Sequence, residues 1–140
     1  MKRKAGEIII ELLPSVVREI YTDMRSLAHP EFTVFQFRVL SKLFVKPSSN
    51  AELAQWAGIN KATMSRALTA LQMKGLIVKK KNRDDRRSNC VVLTGQGEKK
   101  YKKIRKMVSD KISYKFEKIE KNKQKRLING LDILREVFRK

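Results

Sequence analysis

Apolar side chains recur at every third or fourth position from Ile8 to Leu27, through Leu12, Val16, Ile20 and Met24. That period puts them on one face of an α-helix over 7–28. Ile9, Leu13 and Val17 widen the stripe beyond the need of a small domain, so part of it is expected to meet another subunit. Pro14 should kink this helix or mark the first turn of its main part. His29-Pro30 should end it, because the residue before proline disfavours helical backbone. Thr33 and Gln36 then have capping-box spacing. They open a second helix whose Phe35, Phe37, Val39, Leu40, Leu43 and Phe44 are mostly buried, and Pro47-Ser48 closes it.

Residues 49–75 read as two helices joined by a tight turn. Ser49 and Glu52 form a second capping box, and Leu53, Ala54 and Ala57 make the apolar face. Gly58 supplies the positive φ of a helix end, Ile59 turns inward and Asn60 caps the next helix. There Met64, Leu68 (or Ala67) and Leu71 point to the core. Lys61, Ala62, Ser65, Arg66 and Thr69 lie opposite, with Thr63 in the same first turns. An ordinary αα-hairpin has this outline too. A small, polar face with an Arg one turn in also suits the floor of a DNA major groove.

The stretch after the hairpin favours the groove-binding role. Residues 76–81 read as a strand and Asn89–Leu93 as its partner, around the polar loop 82–88. Two strands and a basic loop directly after a recognition helix make a winged helix, whose wing can set an Arg in the minor groove. Thr94-Gly95-Gln96-Gly97 should separate this module from a long helix. Its Tyr101, Ile104, Val108, Ile112, Phe116 and Ile119 approach a heptad seam. Asn122 should interrupt it, and Leu127, Ile128, Leu131, Leu134 and Phe138 form a last amphipathic helix despite Gly130. The predicted fold is mainly α with a small β-wing. A winged helix-turn-helix core at 32–94 is flanked by dimerisation helices at 1–31 and 95–140, in one integrated domain.

Charge sharpens the picture. The 140 residues carry a formal net charge of +19. Residues 1–31 hold five basic and five acidic side chains, whereas 61–94 hold nine and two, and 95–140 hold sixteen and six. The positive field begins at the second hairpin helix, so a polyanion is the natural partner, and nucleic acid fits better than membrane. Hydrophobic residues at 41% suffice for a packed core. No apolar run approaches the roughly 18 residues of a membrane span. Met1-Lys2-Arg3-Lys4 resembles the start of a signal peptide, but no cleavage site comes after it, so a cytoplasmic location is expected. The single cysteine, Cys90, excludes an internal disulfide and a multi-cysteine metal site.

Three stretches resemble the MarR family of bacterial winged-helix regulators. Residues 33–40 look like the family's helix before the motif. Glu52 to Leu76 has its "ELA…G…TxSRxLxxLxxxGL" cadence. Residues 85–94, from Asp85-Arg86-Arg87 to Leu93-Thr94, are similar to its wing signature. The resemblance implies a homodimeric, DNA-binding transcriptional regulator, usually a repressor, on a near-palindromic operator. It also implies control by a small ligand or oxidation, although the first helix lacks the cysteine of the family's peroxide sensors.

Lys61, Ala62, Thr63, Ser65, Arg66 and Thr69 are the candidate recognition residues, and Arg83, Asp85, Arg86 and Arg87 the candidate wing residues. Asp85, or its neighbour Asp84, can brace Arg87, a modest contribution for an exposed pair, with Arg83 and Arg86 the candidates for the minor groove; the sequence leaves open which arginine braces and which inserts. The family's usual cavity suggests Tyr21, Met24, His29, Phe35 and Arg38 as lining for a small anionic aromatic effector. No catalytic constellation, phosphate loop or cofactor motif is present, so no enzyme activity, cofactor or metal is expected. Cys90 and Trp56 read as packing residues. A second function class, an architectural double-stranded DNA-binding protein with little sequence preference, is favoured by the charge.

Overall fold

The computed structural model describes residues 1–28, 31–81 and 89–139. It contains two compact units, Met1–Val108 and Ser109–Lys140. The first holds α1 (Lys2–Ala28), α2 (Val34–Val45), β1 (Ser48–Ser49), α3 (Asn50–Ala57), α4 (Lys61–Met73), β2 (Ile77–Lys81) and β3 (Asn89–Leu93). It also keeps α5 (Gly95–Tyr114) as far as Val108; α6 (Lys121–Phe138) belongs to the second unit. This is the expected mainly helical fold with a small antiparallel wing.

The core of the first unit lies among α2, α3, α4 and the sheet. Val39, Leu40, Leu53, Met64, Leu68, Leu71, Leu76, Ile77 and Val91 are all essentially inaccessible. Each such side chain stabilises the fold by about 1.5–3 kcal/mol relative to exposure. An aromatic chain seats α5 on α2: ring centroids of Phe32–Phe37, Phe37–Tyr101 and Phe44–Tyr101 lie 6.2, 5.2 and 5.0 Å apart. Tyr101, Ile104 and Val108 form the buried face of α5.

Several boundaries differ from the sequence pattern. α1 begins at Lys2 rather than at 7 and passes through Pro14. Proline there removes one backbone donor, and uninterrupted helix on both sides absorbs the loss. The sheet has a third strand: β3 lies between β1 and β2, pairing Ser48 with Val91 and Ser49 with Cys90. Two serines have no strand propensity of their own, so only the tertiary fold reveals this ladder. The β2–β3 register runs from Ile77↔Leu93 to Lys81↔Asn89.

Gly95 and Gly97 are not a linker but the first turn of α5. Thr94 caps that turn, its Oγ1 accepting from Gly97 N–H at 3.0 Å. A Cβ on Gly97 would overlap the Leu76 carbonyl, so glycine lets the helix start against the β2 backbone. In the second unit the helix breaks at residues 115–120, before Asn122, which lies inside α6. Phe116 and Ile119 therefore leave the α5 seam. The turn tightens to i→i−3 hydrogen bonds such as Phe116 N–H to Ser113 C=O (2.9 Å). Gln124 Nε2 then donates to the carbonyls of Phe116 and Ile119 at 3.0 and 2.7 Å.

Candidate nucleic-acid interface

α3 and α4 are set by local chemistry at their ends. Ser49 Oγ accepts from Glu52 N–H at 3.1 Å, while Glu52 Oε1 accepts from Ser49 N–H at 3.5 Å. Gly58 takes φ 68° and ψ 31°, the left-handed conformation that ends α3. Asn60 Oδ1 accepts from Thr63 N–H at 2.8 Å and starts α4. With Met64, Leu68 and Leu71 fully buried, the orientation of α4 about its axis is fixed.

Lys61, Ala62, Thr63, Arg66 and Thr69 are consequently exposed, and Ser65 is half-buried. From Lys61 to Thr69 the helix rises about 12 Å, a length that a major groove accommodates. Thr69 Oγ1 donates to Ser65 C=O at 2.9 Å, leaving its lone pairs and methyl for a partner. Among the described residues Lys61 and Arg66 have no ion-pair partner, so both cations are available. In the wing, Lys80 and Lys81 are exposed at the outer end of β2. Arg83, Asp85, Arg86 and Arg87 lie outside the described residues. Cys90 is a free, half-buried thiol on β3.

The rear of α4 is anchored by residues whose role the sequence pattern did not reveal. Lys74 Nζ donates to Glu31 C=O at 2.7 Å and to Gln36 Oε1 at 3.2 Å, tying the end of α4 to the start of α2. Thr94 Oγ1 donates to Gly75 C=O at 2.6 Å, and Thr94 N–H donates to Leu76 C=O at 3.0 Å. Thr94 thus joins the end of α4, the start of β2 and the start of α5. Its place in the Leu-Thr pair of the wing signature was the available signal; Lys74 had none.

The described effector candidates sit in different surroundings. Phe35 lines a cleft of about 530 Å³ with Arg25, Phe32, Gln36 and Lys74. Met24 is in the core, at 5% exposure. Tyr21 and Arg38 meet elsewhere: the guanidinium lies 5.9 Å from the Tyr21 ring and 5.4 Å from that of Trp56. Trp56, 38% exposed, also has Lys42 Nζ 6.0 Å from its ring. That pairing of cations with an indole is a packing role of a specific kind. His29 lies outside the described residues. No group of His, Cys, Asp and Glu able to hold a metal occurs among the described residues. Nor is any described helix long and apolar enough to cross a membrane.

Residues 32–89 match the model of the MarR family. No curated protein sequence matches the chain. Among solved structures, a transcriptional regulator from Thermotoga maritima is 22% identical, with a TM-score of 0.75 and 94% of each chain covered. A mutant MarR from E. coli is 20% identical, with a TM-score of 0.76, covering 89% of this chain and 93% of its own. The transcriptional repressor CouR, solved bound to a 23-mer DNA duplex, is 25% identical, with a TM-score of 0.69 and 94% of each chain covered. Residues 32–89 thus carry a MarR-family domain, and the chain as a whole has the winged helix-turn-helix fold of solved MarR regulators.

Proposed function

We propose that this chain acts as a homodimeric repressor on a near-palindromic operator, with α4 in the major groove and the wing beside it. The observation that carries this reading is α4 itself: capped, anchored at its rear, and presenting Lys61, Ala62, Thr63, Ser65, Arg66 and Thr69 on its outer side. Arg66 is the base-reading residue, Lys61 and Thr63 position the helix on phosphate, and Arg83 and Arg86 serve the minor groove while Asp85 braces Arg87. Two such helices address half-sites about 10 base pairs apart. A 23-mer, the length on which CouR was solved, holds two sites of that spacing.

Dimerisation is supported by apolar surface without a partner in one chain. On α1, Ile8, Ile10, Leu12 and Val17 are 49, 76, 55 and 42% exposed; on α6, Ile128, Leu131 and Ile133 are 57, 50 and 62% exposed. Surfaces of this kind mark association sites. A small anionic aromatic effector would act by preferring a dimer whose recognition helices are wrongly spaced, and could shift affinity only by that preference. Selection of sites from random DNA, with binding then measured at fixed salt, tests the reading. A regulator prefers its selected site by at least ~10³ over random DNA. A ratio near one would replace it with the architectural reading that the +19 charge supports.

A further inference from the structure

Charge remains on this chain after α4 and the wing are assigned, and on α5 it is ordered. Tyr101, Ile104 and Val108 face the core, so Lys99, Lys103 and Lys106 share the opposite, exposed side at i, i+4 and i+7. Neighbouring Lys102 lies to one side, its Nζ 2.9 Å from Glu98 Oε1 and 5.6 Å from the Phe44 ring. Like charges at the Lys99–Lys103 spacing destabilise a helix, and a polyanion laid along the stripe would offset that repulsion.

We propose that Lys99, Lys103 and Lys106 form a second, sequence-independent contact surface for duplex DNA, by which a protein engaged through α4 holds another duplex segment. The proposal rests on the function proposed above. Three lysines spread over about 10 Å of helix match about three phosphate steps of one DNA strand. Lysine is a hydrated point charge without the planar fork that reads bases, so it supplies affinity and not sequence preference. A membrane surface fits less well, because the apolar side of this part of α5 is buried in the core and has nothing to insert. A second copy fits less well, since the chain as a whole is strongly basic. The start of this surface also lies away from the first turns of α4. Gly97, in the first turn of α5, abuts Leu76 at the C-terminal end of α4, and α4 is about 18 Å long, so α5 begins at the end remote from Lys61.

The test uses the full chain on a bead-bound duplex of about 25 base pairs carrying a selected site. The duplex is in excess, so that every core is engaged, and a labelled duplex of random sequence is then added. The wild type retains the second duplex, and K99Q/K103Q/K106Q retains at least about tenfold less at moderate salt. The triple variant binds the first duplex within about twofold of wild type and keeps its helical circular dichroism, while K99R/K103R/K106R restores capture. Arg66→Ala reports on the first contact alone: it loses site preference and leaves capture per bound protein unchanged. No capture by the wild type, unchanged capture by the glutamine variant, or equal loss at both contacts overturns the proposal.

Discussion

Arg66 and Asn60 stand at the two kinds of position that matter on α4. Arg66 is exposed and has no ion-pair partner among the described residues, so replacing it leaves the fold unchanged and removes the proposed contact to DNA. Arg66→Ala should weaken binding to a selected site by about 1–3 kcal/mol and relax preference at one position of each half-site. Anisotropy titrations on matched and mismatched duplexes decide this; equal weakening on both would reduce Arg66 to a phosphate contact. Asn60 acts earlier, by accepting from Thr63 N–H. Asn60→Ala should lower stability by about 1 kcal/mol, visible as a shift of the urea midpoint without a change in slope.

At the scale of elements, the helix-turn-helix is held from behind. Thr94→Val keeps the side chain's shape but removes the bonds to Gly75 C=O and Gly97 N–H. Both partners sit at a partly buried junction, so a loss of about 1–3 kcal/mol is expected in chemical denaturation. Gly97→Ala tests the same junction sterically. Its methyl would meet backbone rather than a yielding side chain, so α5 must lift from Leu76 and stability should fall by about 1–3 kcal/mol. A Gly97→Ala protein as stable as wild type would show that the α5–β2 junction yields without loss.

At the scale of the molecule, the proposed homodimer would cover the exposed apolar residues of α1 and α6. Leu131→Asp places a charge on a half-exposed α6 position. It should shift sedimentation at micromolar concentration from dimer toward monomer. Operator binding would then lose its second half-site, while the helical content of each chain is retained. A variant that stays dimeric with full affinity would remove α6 from the interface.

Much of this was legible from local chemistry. Both capping boxes, Gly58, Asn60 and the buried stripe Met64–Leu68–Leu71 depend on residues within a few positions of one another. Neighbour effects of that range determine where α2, α3 and α4 begin and which way α4 faces; the β3 limits came in the same way from a short apolar run. Contacts across long sequence separations were decided by the tertiary structure alone. The Ser48–Ser49 strand exists because β3 passes beside it. Gly97 opens a helix because Leu76 leaves it no room for a side chain. Lys74 reaches Glu31 over 43 positions. Arg38 meets the rings of Tyr21 and Trp56, while Phe35 lines a cleft with Arg25 and Lys74. Hydrogen-bonded caps and apolar periods are properties of a segment, readable along the chain. A ladder partner, a close backbone approach or a cation over a ring depends on which segments meet, and that is set only when the whole core packs.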